Sequence, residues 1–110
     1  SMREWGPFIN EQSTYYLCAN RNKKSITLNL KKEEDRQQLK ELVKDADILI
    51  ENFKTGDMKK MGIGYEELKK VNPRLIYCAV TGFGQTGPLA SEPGFDPVIQ
   101  AMSGLMDVTG

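Results

Sequence analysis

Asp47-Ile48-Leu49-Ile50-Glu51 is a short, continuous apolar run set between carboxylates, and Asn52-Phe53-Lys54-Thr55-Gly56 follows it directly. A run of that length suits a strand of a parallel sheet covered on both faces. Before it, Leu39, Leu42, Val43 and Ala46 fall at i, i+3, i+4 and i+7, which is one face of a helix. Glu33, Glu34 and Asp35 occupy that helix's first turns, where carboxylates complement the dipole. Further upstream, Ser25-Ile26-Thr27-Leu28-Asn29-Leu30 alternates with period two and predicts another strand. On the other side, Gly56, Gly62 and Gly64 mark an irregular connection. A second helix follows over Tyr65 to Val71, with Glu66 and Lys70 at supportive spacing and Asn72-Pro73 as its stop. Leu75 to Val80 is a third β-prone run. A Gly/Pro-rich loop, Gly82 to Gly94, then leads to a last helix from Pro97 to about Ser103. The order β-α-β-α-β-loop-α predicts an α/β fold built on a parallel sheet with crossover helices.

The chain has 110 residues, enough for one domain, and its 39% hydrophobic and 27% charged content argues against disorder. Lys+Arg and Asp+Glu are both 15, so there is no cationic surplus of the kind nucleic acid binding needs. No apolar run approaches the ~20 residues of a membrane helix, and no signal-peptide pattern opens the chain. Cys18 and Cys78 lie far apart in apolar stretches, which fits neither a disulfide framework nor a metal site and points to a reducing cytoplasm. Histidine is absent, which excludes His-based triads, HExxH metal sites and any histidine base within the chain. Ser1-Met2 reads as a tag scar, leaving 3–110 as the folded part. The abrupt start at Arg3-Glu4-Trp5 and the apolar Leu105, Met106 and Val108 at the other end lead us to expect part of a longer protein.

Gly82-Phe83-Gly84-Gln85-Thr86-Gly87 matches the G-x-G-x-x-G dinucleotide pattern after a predicted strand. That mechanism needs a helix to open within the glycines, yet Pro88 and Pro93-Gly94 leave no room for one. A glycine loop at the carboxyl end of a strand is the better reading, and such ends are where open α/β sheets place ligands. Phe53 offers a face to a flat ring or belongs to the core. Lys54, Lys59, Lys60 and the Asn20-Arg21-Asn22-Lys23-Lys24 segment supply cations for phosphate or are simply solvated. Physical chemistry alone thus reaches an α/β domain suited to an anionic, ring-bearing ligand, and no reaction.

Several ordered blocks carry more. They are Trp5-Gly6-Pro7, Asn20 to Ile26, Ala46 to Phe53, Met61-Gly62-Ile63-Gly64-Tyr65-Glu66 and Asn72-Pro73-Arg74-Leu75-Ile76-Tyr77. Gly82 to Pro88, Gly94-Phe95-Asp96, Gln100 to Met106 and Val108-Thr109-Gly110 continue in the same order. Together they resemble the family III CoA-transferases of the CaiB/BaiF type over nearly the whole chain. The resemblance implies a Rossmann-like large domain, of which this chain is a part, in a homodimer of interlocked rings. It implies acyl-CoA and a small carboxylic acid as substrates, with CoA as substrate and no prosthetic group or metal. An aspartate nucleophile would form a mixed anhydride and then an aspartyl-CoA thioester. The family places that aspartate downstream of Gly110, so neither Asp96 nor Asp107 is given the role. The family's CoA contacts fall on Leu28, Asn29 and Lys31, on Asn52, Phe53 and Lys54, and on Lys60 and Met61. Position 29 is Asn where many members carry Asp, and position 60 is Lys where Arg is common, which removes a bidentate fork.

Two other readings stand beside this one. An α-methylacyl-CoA racemase of the same superfamily would place a histidine base where this chain has Phe95, and Phe95 accepts no proton. A non-catalytic nucleotide-binding or dimerisation module is the third. The acyl donor and acceptor are not legible here.

Overall fold

The computed structural model describes residues 2–110. A short 3-10 turn, Met2–Glu4, precedes a hairpin of β1 (Phe8–Ile9) and β2 (Gln12–Ser13). Its two turn residues, Asn10 and Glu11, both have positive φ (48° and 63°), as a tight hairpin turn matched to strand twist requires. Ser13 then caps α1 (Thr14–Asn20), its Oγ accepting from the Tyr16 backbone N–H at 3.3 Å.

The larger unit begins at α2 (Glu33–Lys44) and continues through β3 (Ile48–Glu51), α3 (Asp57–Lys60), α4 (Tyr65–Val71) and β4 (Ile76–Ala79). The β3 and β4 strands pair in parallel, Ile48 opposite Ile76 and Glu51 opposite Ala79, with α3 and α4 in the crossover. Helix α2 starts on three acids, and the Arg36 guanidinium and Gln37 amide hold the Glu33 carboxyl below its usual range. The chain ends in α5 (Asp96–Met102), which has Pro97 in its first turn, and α6 (Leu105–Thr109).

One core holds this unit together. Val43, Met58, Ile63, Leu68 and Leu75 are buried, and Leu30, Leu39, Ala46, Leu49, Met61 and Tyr77 pack against them. Leu49 of β3 and Tyr77 of β4, paired across the sheet, meet the core from the same face, because alternate residues of a strand point to opposite faces. Asn72 fastens the arrangement. Its Nδ2 donates to Val43 O at 3.0 Å and Ala46 O at 2.8 Å, tying the end of α4 to the end of α2.

Three expectations are corrected. Ser25 to Leu30 forms no strand: it has no ladder partner among the described residues, Leu30 lies in a turn, and Ile26 is 61% exposed. Alternation supplies a face but no neighbour to pair with. Second, β3 is covered on one face only: Ile48 and Ile50 point outward beside Ile76 and Cys78, all exposed. Third, Leu42 is exposed, because α2 meets the core through Leu39 and Val43 and turns Leu42 to the flank. The fold class stands as α/β with a small parallel sheet.

Candidate functional site

The carboxyl ends of β3 and β4 lie side by side, so the segments leaving them face the same space. Val80 N donates to Glu51 O at 2.8 Å, and Asn52 Nδ2 donates to Val80 O at 2.6 Å, which pins the two exits together. Glu51 adds a second tie: its Oε2 accepts from the Phe53 backbone N–H at 2.6 Å, and its Oε1 accepts from the Tyr77 hydroxyl at 3.3 Å. Burial, followed by the Glu51 charge, pushes the Tyr77 phenol up to about 12. Glu51 thereby sets the backbone direction from which the Phe53 side chain departs.

The resulting cavity measures about 210 Å3 and is lined by Asn52, Phe53 and Lys54 from one strand exit and by Thr81 and Gly82 from the other, with Gly94 closing it. Phe53 is 44% exposed and lies outside the hydrophobic cluster. Thr81 Oγ1 is shielded from solvent and has no hydrogen-bond partner among the described residues. Gly82 and Gly94 touch backbone to backbone: a Cβ on Gly94 would sit 2.2 Å from Gly82 Cα, and one on Gly82 would sit 2.3 Å from Gly94 Cα. Only glycine permits that approach. No helix begins between them, so the G-x-G-x-x-G stretch closes a loop and does not open a phosphate-binding helix.

Other predicted contacts lie elsewhere. Leu28, Asn29 and Lys31 form the turn before α2. There Asn29 N donates to Asp35 Oδ2 at 2.7 Å, Asn29 Oδ1 accepts from Lys31 N at 3.1 Å, and Arg36 Nη1 donates to Leu30 O and Lys31 O, each at 3.0 Å. Lys60 ends α3 with its Nζ 3.4 Å from Asp57 Oδ1, and Met61 is half-buried against the core. Neither group lines the cavity at the strand exits. The structure therefore brings Asn52, Phe53 and Lys54 together and leaves the other five in two separate places. Thr81 and the Gly82–Gly94 contact are the site features the residue pattern did not isolate. Their only signal was the glycine-rich loop at a strand end.

A larger opening of about 700 Å3 flanks the crossover, lined by Glu51, Met58, Tyr65, Glu67, Leu75 and Tyr77 among others. Tyr65 and Tyr77 meet edge to face there, their centroids 5.9 Å apart. It opens on the core side of the sheet and extends to the strand exits, since Glu51, Ala79, Gly84 and Gln85 also line it. Among the described residues no cluster of three or more His, Cys, Asp or Glu is placed to hold a metal ion, and no helix is long and apolar enough to cross a membrane.

The model of the CoA-transferase family III matches residues 1–110. An acetyl-CoA:oxalate CoA-transferase of Acetobacter aceti is 55% identical over 108 residues, 98% of this chain and 28% of that protein. A succinyl-CoA:glutarate CoA-transferase of Mus musculus is 49% identical over 109 residues, 98% of this chain and 25% of that protein. Among solved structures, a CaiB/BaiF family protein from Brucella suis superposes with a TM-score of 0.85 at 47% identity, over 99% of this chain and 30% of that one. The chain thus spans little more than a quarter of the length of these curated relatives.

Proposed function

The chain belongs to CoA-transferase family III, and from that premise we propose that its protein moves CoA from an acyl-CoA to a free carboxylic acid. Residues 3–110 supply much of the CoA-binding region, within a Rossmann-like domain of an interlocked homodimer in the cytoplasm. The observation that carries this reading is the open cavity at the carboxyl ends of two parallel strands, presenting an exposed aromatic and a cation, in a chain matched throughout by that family. Ligands of open α/β sheets bind at such strand ends. The Phe53 ring covers an apolar face of CoA, and Lys54 meets its phosphates as a point charge. Lys31, Lys60, Leu28, Asn29 and Met61 contact CoA beyond that cavity.

The chemistry is carboxylate nucleophilic catalysis. An aspartate oxygen attacks the thioester carbon, the C–S bond breaks, and CoA leaves as thiolate from a mixed anhydride. The thiolate then attacks the aspartyl carbonyl and releases the first acid, leaving an aspartyl-CoA thioester. The second acid's carboxylate attacks that thioester, and the returning thiolate takes its acyl group, which regenerates the aspartate. We assign the aspartate to no residue of 1–110. Asp96 Oδ2 accepts from Gln100 Nε2 at 2.5 Å within the first turn of α5. The racemase alternative lacks its base, since the chain has no histidine and Phe95 stands at that place.

CoA titration of the full-length protein tests the reading. Phe53→Ala should cost about 1–3 kcal/mol of CoA binding at any salt, by analogy with base–aromatic stacking. Lys31→Ala and Lys60→Ala should cost less, and their effect should shrink as ionic strength rises. Unchanged affinity in all three variants would overturn the assignment.

A further inference from the structure

A second charged opening lies at the N-terminal end of the chain. Helix α1 ends at Asn20, and the following turn passes through Asn22 at a φ of 60°, a left-handed conformation that non-glycine residues rarely adopt. The Lys23 backbone N–H closes this turn by donating to Asn20 O at 3.2 Å. The chain doubles back, and Arg3, Tyr16, Asn20, Arg21, Lys23 and Lys24 surround a cavity of about 360 Å3. Four of those six are cations and no carboxylate lines the cavity, although the chain's formal charge sums to zero.

Two of the cations are fixed in place. Arg3 stacks over the Tyr16 ring at 3.8 Å from its centroid and donates to the Tyr16 hydroxyl at 2.5 Å. Lys23 Nζ donates to Ala19 O at 2.5 Å. Arg21 and Lys24 form no ion pair among the described residues. Arg21, Lys23 and Lys24 are like charges with no carboxylate paired to them among the described residues; such charges repel, and an anion between them reverses the sign of that interaction. A guanidinium fork beside ammonium groups suits the several oxygens and multiple charge of phosphate better than a single carboxylate.

We propose that this cavity is an anion site that takes a phosphate-bearing ligand. It shares no lining residue with the cavity at the strand exits. The phosphate belongs either to CoA itself or to a separate phosphorylated compound.

The test titrates inorganic pyrophosphate, and separately CoA, into the full-length protein by calorimetry. The variants are Arg21→Ala/Lys24→Ala and the charge-preserving Arg21→Lys/Lys24→Arg, each confirmed as folded by circular dichroism. The alanine pair should lose roughly tenfold in pyrophosphate affinity at low salt, and that difference should fade at high salt. The charge-preserving pair should stay within a few-fold of the parent. Weakened CoA binding in the alanine pair would identify the phosphate as CoA's own, and unchanged CoA binding would identify a separate compound. No pyrophosphate binding by the parent at millimolar concentration, or equal binding by the alanine pair, would overturn the proposal. Failure of the CoA reading shows itself separately, as unchanged CoA affinity in Phe53→Ala.

Discussion

Asn72 is 8% exposed and its side chain makes three hydrogen bonds: two donated by Nδ2, to Val43 O and Ala46 O, and one accepted by Oδ1 from Arg74 N at 3.0 Å. Truncation in Asn72→Ala removes all three. Val43 O keeps backbone donors, since Asp45 N and Ala46 N both reach it, so the loss there is partial. Arg74 is exposed and its amide can turn to water. The heaviest loss falls on Ala46 O. At about 1 kcal/mol per hydrogen bond, with a surcharge for a buried group left unmade, Asn72→Ala should cost about 2–3 kcal/mol. Asn72→Asp is the sharper probe. It keeps the acceptor for Arg74 N but aims a carboxylate oxygen at two carbonyl oxygens, which raises that carboxyl's folded pKa above its unfolded value. Its neutral form is the one the fold favours, so the deficit should be largest at neutral pH and shrink as pH falls through the raised pKa. Urea unfolding of parent and variants across pH measures both effects, with the m-value as control. A loss below about 0.5 kcal/mol in Asn72→Ala would refute the account, because exposed substitutions stay within that range.

Three further outcomes follow from the geometry. Gly82→Ala or Gly94→Ala each forces backbone apart and should cost about 1–3 kcal/mol in urea unfolding. The double variant should cost less than the sum, since one displacement relieves both clashes. Glu11→Gly should raise stability by about 0.5–1 kcal/mol, because Glu11 sits at a φ of 63° that glycine adopts without strain, and a thermal melt reads the gain. Tyr77, neutral and raised from 10.0 to about 12, contributes stability that is whole below pH 10 and lost as pH climbs to about 12. Tyr77→Phe should remove an ionisation step near pH 12 from an ultraviolet absorbance titration.

The elements that were legible in the sequence are those whose signal is local. Asp47 to Glu51 and Leu75 to Val80 are apolar runs between helix signals, and they became β3 and β4. Glu33 to Lys44 declared itself through its acidic first turn and the Leu39–Val43 spacing. Ser25 to Leu30 misled because pairing is a property of two segments, and one segment's alternation says nothing about its neighbour. The hairpin around Asn10-Glu11 was illegible for the opposite reason: its strands are two residues each and its turn lacks glycine. At the site, Asn52, Phe53 and Lys54 were readable as a strand exit. Thr81 was not, because a lone threonine after a strand has no pattern. Asn72 read only as a helix stop, since its carbonyl partners lie 26 and 29 residues away.

The contact between Gly82 and Gly94 involves no side chains, and that has an evolutionary consequence. A loop whose neck is sealed by main chain alone asks little of the side chains inside it, apart from Gly84 and Gly87, whose φ of 81° and 96° favour glycine. The other positions of 83–93 therefore form a cassette: their composition can be exchanged while both ends stay seated at the mouth of the sheet. In a scaffold that meets differing molecules at one fixed place, diversification by exchange of this segment would leave the buried core untouched, much as an interchangeable bit leaves the handle alone.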